Sequence, residues 1–197
     1  MYRKVYSFYK GRLISFGRSA QTVGFSTLEQ QKRFQALIKN VDLELLGRES
    51  KVDFGCGLSH FLPWLQEKGL EKDYVGVDII EKFLKDNRIR YPEFKFVSMN
   101  DFIDTHQKYG YIFASGVFTI PWCQNHYEEV KKCIKMLFNK CRYGFSFNML
   151  SIYYGNKIPA YYYFDPFDIG KCCYNMTKKI IIDCSYLPED FTITLAH

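Results

Sequence analysis

The chain has 197 residues, of which 47% are hydrophobic, so it is long enough for one domain with a complete core. Its formal net charge of +6 mildly favours anionic partners, although a lysine-rich solvated surface gives the same value. The seven cysteines show neither a C-x-x-C pair nor the Cys/His spacing of a zinc site, which predicts reduced thiols and no metal centre. The N-terminal segment lacks a signal-peptide pattern and no apolar run nears the ~20 residues of a membrane span, so we expect a cytoplasmic protein.

The predicted elements start with a helix over residues 26–41. Ser26 can cap this helix, Glu29 stands three positions later as in a capping box, and an apolar stripe begins at Phe34. A strand over 50–54 and a helix over 59–68 come next. Further strands are predicted over 73–79, 93–99, 109–118, 143–150, 178–186 and 190–197, and further helices over 80–90, 125–140 and 166–175.

Five of these strands alternate with helices, an order that predicts a parallel, doubly wound sheet. The last two strands are joined only by Leu187, Pro188 and Glu189, which is too short for a parallel crossover, so they pair antiparallel. The sequence therefore predicts an α/β fold with a seven-stranded, mostly parallel sheet. We expect one domain over 1–197, with residues 1–46 as an N-terminal helical extension or lid.

The stretch DFGCGLSH, residues 53–60, places a glycine-rich turn between a strand and a helix. Gly55 and Gly57 let the backbone turn sharply and let a ligand lie against it, and the helix N-terminus offers free N–H groups. Asp78 ends the next strand, where a carboxylate can accept both hydroxyls of a ribose. The pattern predicts a ligand that contains a nucleoside.

Other ligands fit this turn less well. Position 60 is His60 and not the third glycine of a G-x-G-x-x-G dinucleotide motif, and the Gly-Lys-Ser/Thr of a Walker loop is absent. A metal bound by Asp53, Cys56 and His60 would require three ligands to converge from a single strand-turn-helix. We therefore expect neither NAD nor a metal ion here.

The motifs VDFGCGLSHF, YVGVDI, SMNDF and YIFASGVF resemble the first four motifs of class I S-adenosylmethionine-dependent methyltransferases, and the resemblance covers roughly residues 50–197. Three further stretches resemble small methyltransferases associated with bacterial surface-polysaccharide gene clusters: residues 147–151, 164–166 and 186–192. The leader over 22–34 is similar to theirs as well. The resemblance implies the Rossmann-like methyltransferase fold, with S-adenosylmethionine as cofactor and S-adenosylhomocysteine (SAH) as product.

The resemblance also implies a role for each motif residue. The methionine half of the cofactor would contact Asp53, Gly55, Cys56 and Gly57; the ribose would contact Asp78; the adenine would contact Ile79, Asn100, Asp101 and Phe102; and the sulfonium would lie above Ser115 and Gly116. The sequence departs from the motif at Ser59, which replaces its third glycine. A serine can act there as the N-cap of the following helix.

The methyl acceptor is expected at the carboxyl ends of the fourth and fifth strands. His126 is the first candidate for a general base because histidine titrates near neutral pH. Asn148 is a second catalytic candidate because of its position, at the end of a buried strand where a polar side chain needs a reason. The candidate substrate contacts are Phe118, Trp122, Ser151, Tyr153 and Tyr154, with Phe25, Gln30 and Arg33 of the leader as parts of a lid.

Three functions follow from this reading. The first is O-methylation of a small polar acceptor: a sugar, a nucleotide-linked or a phosphoramidate-type intermediate of surface-polysaccharide biosynthesis, a class that rests on the resemblance. The second is a nucleic-acid or protein methyltransferase, which the net charge would suit although no basic stripe and no N/D-P-P-Y/F-type motif supports it. The third is a non-catalytic cofactor-binding protein.

Overall fold

A computed structural model describes residues 2–24 and 26–197. Its seven strands are β1 (Lys51–Phe54), β2 (Tyr74–Asp78), β3 (Lys95–Ser98), β4 (Tyr109–Ser115), β5 (Cys141–Leu150), β6 (Ile180–Asp183) and β7 (Asp190–Ala196). The helices are α1 (Arg3–Phe16), α2 (Thr27–Ile38), α3 (Leu43–Arg48), α4 (Phe61–Gln66), α5 (Glu81–Arg90), α6 (Met99–Asp104), α7 (His126–Asn139) and α8 (Pro166–Tyr174), and a 3₁₀ turn covers Ala20–Val23.

The strands form one sheet in the order β3-β2-β1-β4-β5-β7-β6. Strands β1 to β5 are parallel, β7 runs antiparallel to β5, and β6 runs antiparallel to β7. The predicted fold class is therefore confirmed. The sheet order reverses between β1 and β4, and the carboxyl ends of β1, β2 and β4 meet at that point, where open α/β sheets bind their ligands.

Two apolar layers cover the two faces of the sheet. Because side chains alternate along a strand, neighbours such as Ile112 and Phe113 of β4 belong to different layers. One layer packs against α6, α7 and α8 through Phe102, Val130 and Ile169. The other packs against α2, α4 and α5 through Phe34, Phe61 and Leu84. This burial on both faces explains the continuously apolar sequence of β4.

Three differences between the observed and the predicted boundaries concern the site or the sheet. Strand β4 ends at Ser115 and not at residue 118, because Gly116 takes a φ of 65° and turns the chain out of the sheet. The helix expected over 59–68 starts only at Phe61. Strand β6 covers four residues, Ile180–Asp183, rather than 178–186. None of the helices within the described ranges is long and apolar enough to cross a membrane.

Candidate cofactor and acceptor site

A cavity of about 1010 Å³, its mouth included, lies at the carboxyl ends of β1, β2 and β4. Its floor is the turn after β1, its sides are the ends of β2 and β4, and Tyr2, Val5 and Tyr9 of the N-terminal segment roof it. Tyr6 fixes the roof by donating its hydroxyl hydrogen to the carbonyl of Ile79, 2.5 Å away. The cavity is where the sequence predicted a nucleoside-binding turn.

The glycine turn is shaped by two constraints. At Gly55 φ is 78°, and a Cβ atom would lie only 2.4 Å from Cγ2 of Val117, so no other residue fits without a shift. The amide of Gly57 donates to Oδ2 of Asp78 at 2.8 Å. The turn is thus tied to the end of β2, and both predicted glycines have a structural requirement.

Helix α5 anchors the far side of the same turn. Nδ2 of Asn87 donates to the carbonyl of Gly57 at 2.8 Å, and Arg90 donates to the carbonyl of Leu58 and to Oδ1 of Asn87. Asn87 is fully buried. Sequence reasoning missed both residues because nothing in a helical pattern marks which polar side chain faces inward.

Two buried carboxylates face the cavity. Asp53 is 5% exposed and accepts a hydrogen bond from the hydroxyl of Tyr74 at 2.7 Å; burial raises its pKa to about 7. Asp78 is 6% exposed and also accepts from the amide of Ile80 at 2.8 Å; burial raises its pKa to about 6. Since no lysine or arginine is found among the described lining residues, these acids suit a ligand that brings its own positive charge and hydroxyl groups.

Ser59 is not the helix N-cap that the sequence suggested. It is fully buried with a φ of 55°, in the left-handed region that the motif's glycine would occupy freely, and the N-cap position of α4 falls on His60. His60 lines the cavity, and its Nε2 lies 3.1 Å from the carbonyl of Arg18. Cys56 is buried in the turn, where burial raises the pKa of its thiol well above the usual value.

One side of the cavity is apolar and is lined by Ile79 together with Ile80, Phe83 and Met99, of which the sequence analysis named only Ile79. Asn100 and Asp101 directly follow Met99 on α6 and are exposed, outside the described lining. Phe102 packs in the core with its ring 5.7 Å from that of Phe54. Asp101 accepts from Oγ of Ser98 at 2.7 Å.

Asn148 supports the end of β4 from behind. Ser115 and Gly116 line the cavity, and Oδ1 of Asn148 accepts from Oγ of Ser115 at 3.2 Å and from the amide of Gly116 at 3.0 Å. The Asn148 side chain is buried and is not among the lining residues described. Its geometry is that of a residue that positions Gly116.

His126 occupies a similar supporting place. Its Nε2 lies 2.9 Å from the carbonyl of Phe118, and its ring packs against Trp122 at 4.3 Å and Tyr162 at 4.8 Å. Phe118 and Trp122 line the cavity, whereas His126, only 2% exposed, lies behind them. Burial lowers the pKa of His126, which favours the neutral imidazole. Because the Phe118 carbonyl can only accept, Nε2 carries the hydrogen of this contact.

The remaining predicted substrate contacts fall into four groups. Gln30 lines the cavity. Arg33 does not reach it, because its guanidinium is buried against Asp190. Ser151, Tyr153 and Tyr154 follow β5 and are not among the described lining residues; Tyr153 is exposed and donates to Oδ2 of Asp165 at 3.0 Å. Phe25 lies outside the described residues.

A small side chamber adjoins the main cavity. The two share Tyr9, Val23 and Gly116, and the rings of Phe8 and Tyr161 lie 6.0 Å apart at the chamber wall. The other lining residues are Gly24, Thr119 and Ile120, so the described lining carries no ionised side chain. Burial raises the pKa of Tyr9, and the nearby Asp78 raises it further, so its hydroxyl stays protonated as a donor.

The seven cysteines are free thiols, and the described part of the chain holds no group of three His, Cys, Asp or Glu side chains that could bind a metal ion.

Tyr74 is a further site residue that the sequence analysis did not name. It shares a strand face with Gly76 and Asp78, and a Cβ at Gly76 would lie 2.5 Å from the Phe96 ring and 3.0 Å from Sγ of Cys56. In the sequence, the alternation Tyr-x-Gly-x-Asp indicates that Tyr74 lies on the same strand face as Asp78.

The sequence matches no protein-family model. It is 30% identical over 156 residues to the Mycobacterium tuberculosis protein named "Putative methyltransferase Rv1506c", across 72% of this chain and 89% of that protein. Among solved structures, the magnesium protoporphyrin IX methyltransferase of Synechocystis PCC 6803 with bound SAH has a TM-score of 0.70 at 15% identity, over 100% of this chain and 95% of that chain. The DhpI–SAH complex has a TM-score of 0.60 at 10% identity, over 96% of each chain. With this relative and this fold, the chain belongs to the class I S-adenosylmethionine-dependent methyltransferases.

Proposed function

We propose that this methyltransferase methylates an oxygen of a small polar acceptor: a sugar, a nucleotide-linked or a phosphoramidate-type intermediate of surface-polysaccharide biosynthesis. The observation that carries the proposal is the roof of the main cavity, where Tyr2, Val5 and Tyr9 of the N-terminal segment cover the site. A covered site favours a small molecule over a polymer strand.

The cavity fits the cofactor by charge and by shape. The two buried carboxylates have no cationic partner in the described lining, so Asp53 would bind the ammonium group and Asp78 the ribose hydroxyls. Gly55 and Gly57 leave the backbone accessible, and Ile79, Ile80, Phe83 and Met99 would enclose the adenine. When bound, the cofactor supplies a methyl group activated by a positively charged sulfur. From the resemblance, Asn100 and Asp101 would reach the adenine edge, since they directly follow Met99 on α6.

The acceptor would lie between the two aromatic walls of the site. In the side chamber, the rings of Phe8 and Tyr161 offer flat apolar faces, and the Thr119 hydroxyl offers a hydrogen-bonding group. In the main cavity, Phe118, Trp122 and Gln30 face the same region. A sugar ring presents apolar C–H faces and polar edges, which matches walls of this kind.

The chain would accelerate the transfer mainly by orientation and by exclusion of water. The described chamber lining offers only hydroxyl groups, and His126 is engaged with the Phe118 carbonyl. We therefore propose His126 and Asn148 as positioning residues, His126 for the Phe118–Trp122 wall and Asn148 for Gly116. Among the proposed acceptors, such a site favours one whose oxygen is already ionised, as in a phosphoramidate-type intermediate, because no base then has to remove a proton.

Two measurements test the function in sequence. Calorimetric titration with SAH should give micromolar binding that Asp78→Ala abolishes; no binding by the wild type would overturn the cofactor assignment. A screen with methyl-labelled cofactor against surface-polysaccharide intermediates should then identify the acceptor.

Phe8→Ala should raise the acceptor KM about tenfold, the worth of one aromatic contact, while SAH affinity stays unchanged. Phe16→Ala, on the same helix but outside both cavities, is the matched control.

A further inference from the structure

The positive charge of this chain is concentrated at its N-terminal end. Residues 1–28 hold five of the 27 basic residues and none of the 21 acidic ones, and the first acidic residue is Glu29. The remaining 169 residues therefore carry 22 basic and 21 acidic side chains, a net charge of only +1. Nearly all of the net charge of +6 belongs to the segment that roofs the site.

Three of the five cations are available to a partner. Arg12 is engaged, since its Nε donates to the carbonyl of Gln21 at 2.9 Å, and Arg18 pairs with Asp86 at 3.3 Å. Arg3, Lys4 and Lys10 are exposed, and no acidic side chain of the described chain lies within ion-pair distance of them.

These cations share a face of α1 with an exposed aliphatic side chain. Arg3, Ser7, Lys10 and Ile14 are spaced by four, three and four residues, so they form one stripe along the helix. All four are exposed, and Ile14 is 77% exposed. Val5 and Tyr9 lie on the opposite face and roof the cavity. Helix α1 thus has an inner face for the site and an outer face with no partner.

We propose that the outer face of α1 docks on an anionic membrane surface. Lysine and arginine on a helix surface are attracted to the phosphates of anionic lipids, and an exposed aliphatic side chain beside them can enter the headgroup boundary. Tyr6, 45% exposed, lies at the edge of the stripe. A second copy of the chain does not fit this face, because it would bring like charges together. Nucleic acid would use the cations but leave Ile14 in water.

The strength of this docking follows from its parts. Each cation near an anionic surface raises the partition coefficient of the protein between water and the membrane roughly fivefold, and Ile14 raises it by a similar factor. The association is therefore reversible, and it weakens as salt screens the surface charge. The inference does not depend on the acceptor or on the catalytic step.

Vesicle sedimentation of the full chain tests the proposal. Binding is expected to vesicles of phosphatidylcholine mixed with phosphatidylglycerol and not to phosphatidylcholine alone. The triple variant Arg3→Gln/Lys4→Gln/Lys10→Gln should lose about a hundredfold in partitioning, and Ile14→Ser about fivefold. The matched controls are Lys82→Gln/Lys85→Gln/Lys95→Gln, with the same charge change on α5 and β3, and Ile89→Ser, at a residue 80% exposed.

Three results would overturn the proposal: wild type that stays in the supernatant with anionic vesicles, equal losses in both triple variants, or a gel shift with RNA from a chain that ignores the vesicles. SAH titration of every variant confirms that it is folded, since none of the substituted residues lines either cavity.

Discussion

Arg33 of α2 and Asp190 at the start of β7 form a buried, two-pronged ion pair across 157 positions of sequence. Nη2 of Arg33 donates to Oδ1 of Asp190 at 2.8 Å and Nε donates to Oδ2, and both residues are at most 3% exposed. The backbone carbonyl of Arg33 also accepts from Nδ2 of Asn148 at 3.4 Å. Helix α2 is therefore fixed to the adjacent strands β5 and β7.

Removing one partner of this pair should be costly. We expect Arg33→Ala to lower the free energy of unfolding by about 3–5 kcal/mol, because the Asp190 carboxylate would stay buried without its partner. Urea unfolding measures the loss. Arg48→Ala removes an exposed pair with Glu44 and should cost about 0.5 kcal/mol or less. An Arg33→Ala chain of full stability with a raised acceptor KM would instead return Arg33 to the acceptor site.

The pair also shows where sequence reasoning stops. Arg33 and Asp190 each lie within a stretch that resembles the same group of methyltransferases, residues 22–34 and 186–192. The contact between the two residues could not be predicted, because helix periodicity places Arg33 on one face of α2 but does not indicate which distant acid that face contacts. The arginine predicted to face the acceptor proves to be a tertiary link.

The sheet and the cofactor turn could be predicted because both depend on local signals. Alternating apolar strands and amphipathic helices fix the fold class, and a strand-glycine-helix junction fixes the position of the turn. A lid was expected somewhere in residues 1–46, but the residues that roof the cavity could not be predicted, because α1 buries only Val5 and its tyrosines fit a surface position equally well. In the third motif, Met99 lines the cavity, whereas Phe102, three residues later on α6, packs in the core.

Asp53 should set the pH dependence of the site. The pKa of Asp53 in the folded protein, about 7, exceeds the ordinary aspartate value. Protonation of Asp53 therefore stabilises the folded state fully near pH 4, and this stabilisation is lost as the pH rises through 7. Asp53→Asn should therefore gain stability relative to wild type by about 1 kcal/mol per pH unit between pH 5 and 7, and then level off. Urea unfolding without cofactor gives this difference.

The same variant should lose SAH affinity at least tenfold at pH 8, since the ammonium group loses its carboxylate. Wild-type affinity should rise from pH 6 to 8, and the variant's should not. A stability difference that is flat across this range would contradict the burial of Asp53 without a cationic partner in the described lining.

Gly55 offers a steric test of the turn. Gly55→Ala combines a φ of 78° with a contact of 2.4 Å to Val117, and we expect a loss of about 3 kcal/mol. Gly69→Ala has a similar φ of 64° with nothing within 4 Å, so it should lose only about 1 kcal/mol. Adding Val117→Ala to Gly55→Ala should recover part of the difference. Equal losses at the two glycines would show that Val117 does not constrain the turn.

Ser59 should yield to glycine. Because its φ is 55°, Ser59→Gly relieves left-handed strain, and we expect thermal unfolding to show a gain of about 0.5–1 kcal/mol. Asp73→Gly, at a φ of 51°, should gain similarly. Ser98→Gly removes the N-cap bond to the amide of Asp101 and should lose stability instead. A loss at Ser59 would mean that its hydroxyl supports the turn.

His126 separates a positioning role from a catalytic one. If the imidazole only holds the Phe118 carbonyl, the side-chain amide of His126→Gln can replace the Nε2–H donor, and this variant should retain activity within about fivefold. His126→Leu leaves that carbonyl unpaired and should lose about 1–2 kcal/mol of stability. The acceptor KM should rise in His126→Leu more than kcat falls, because Phe118 and Trp122 shift. The pH profile of kcat should keep its shape in both variants. A general base would give the opposite pattern, with both variants losing a hundredfold or more in kcat and the acidic limb of the profile disappearing.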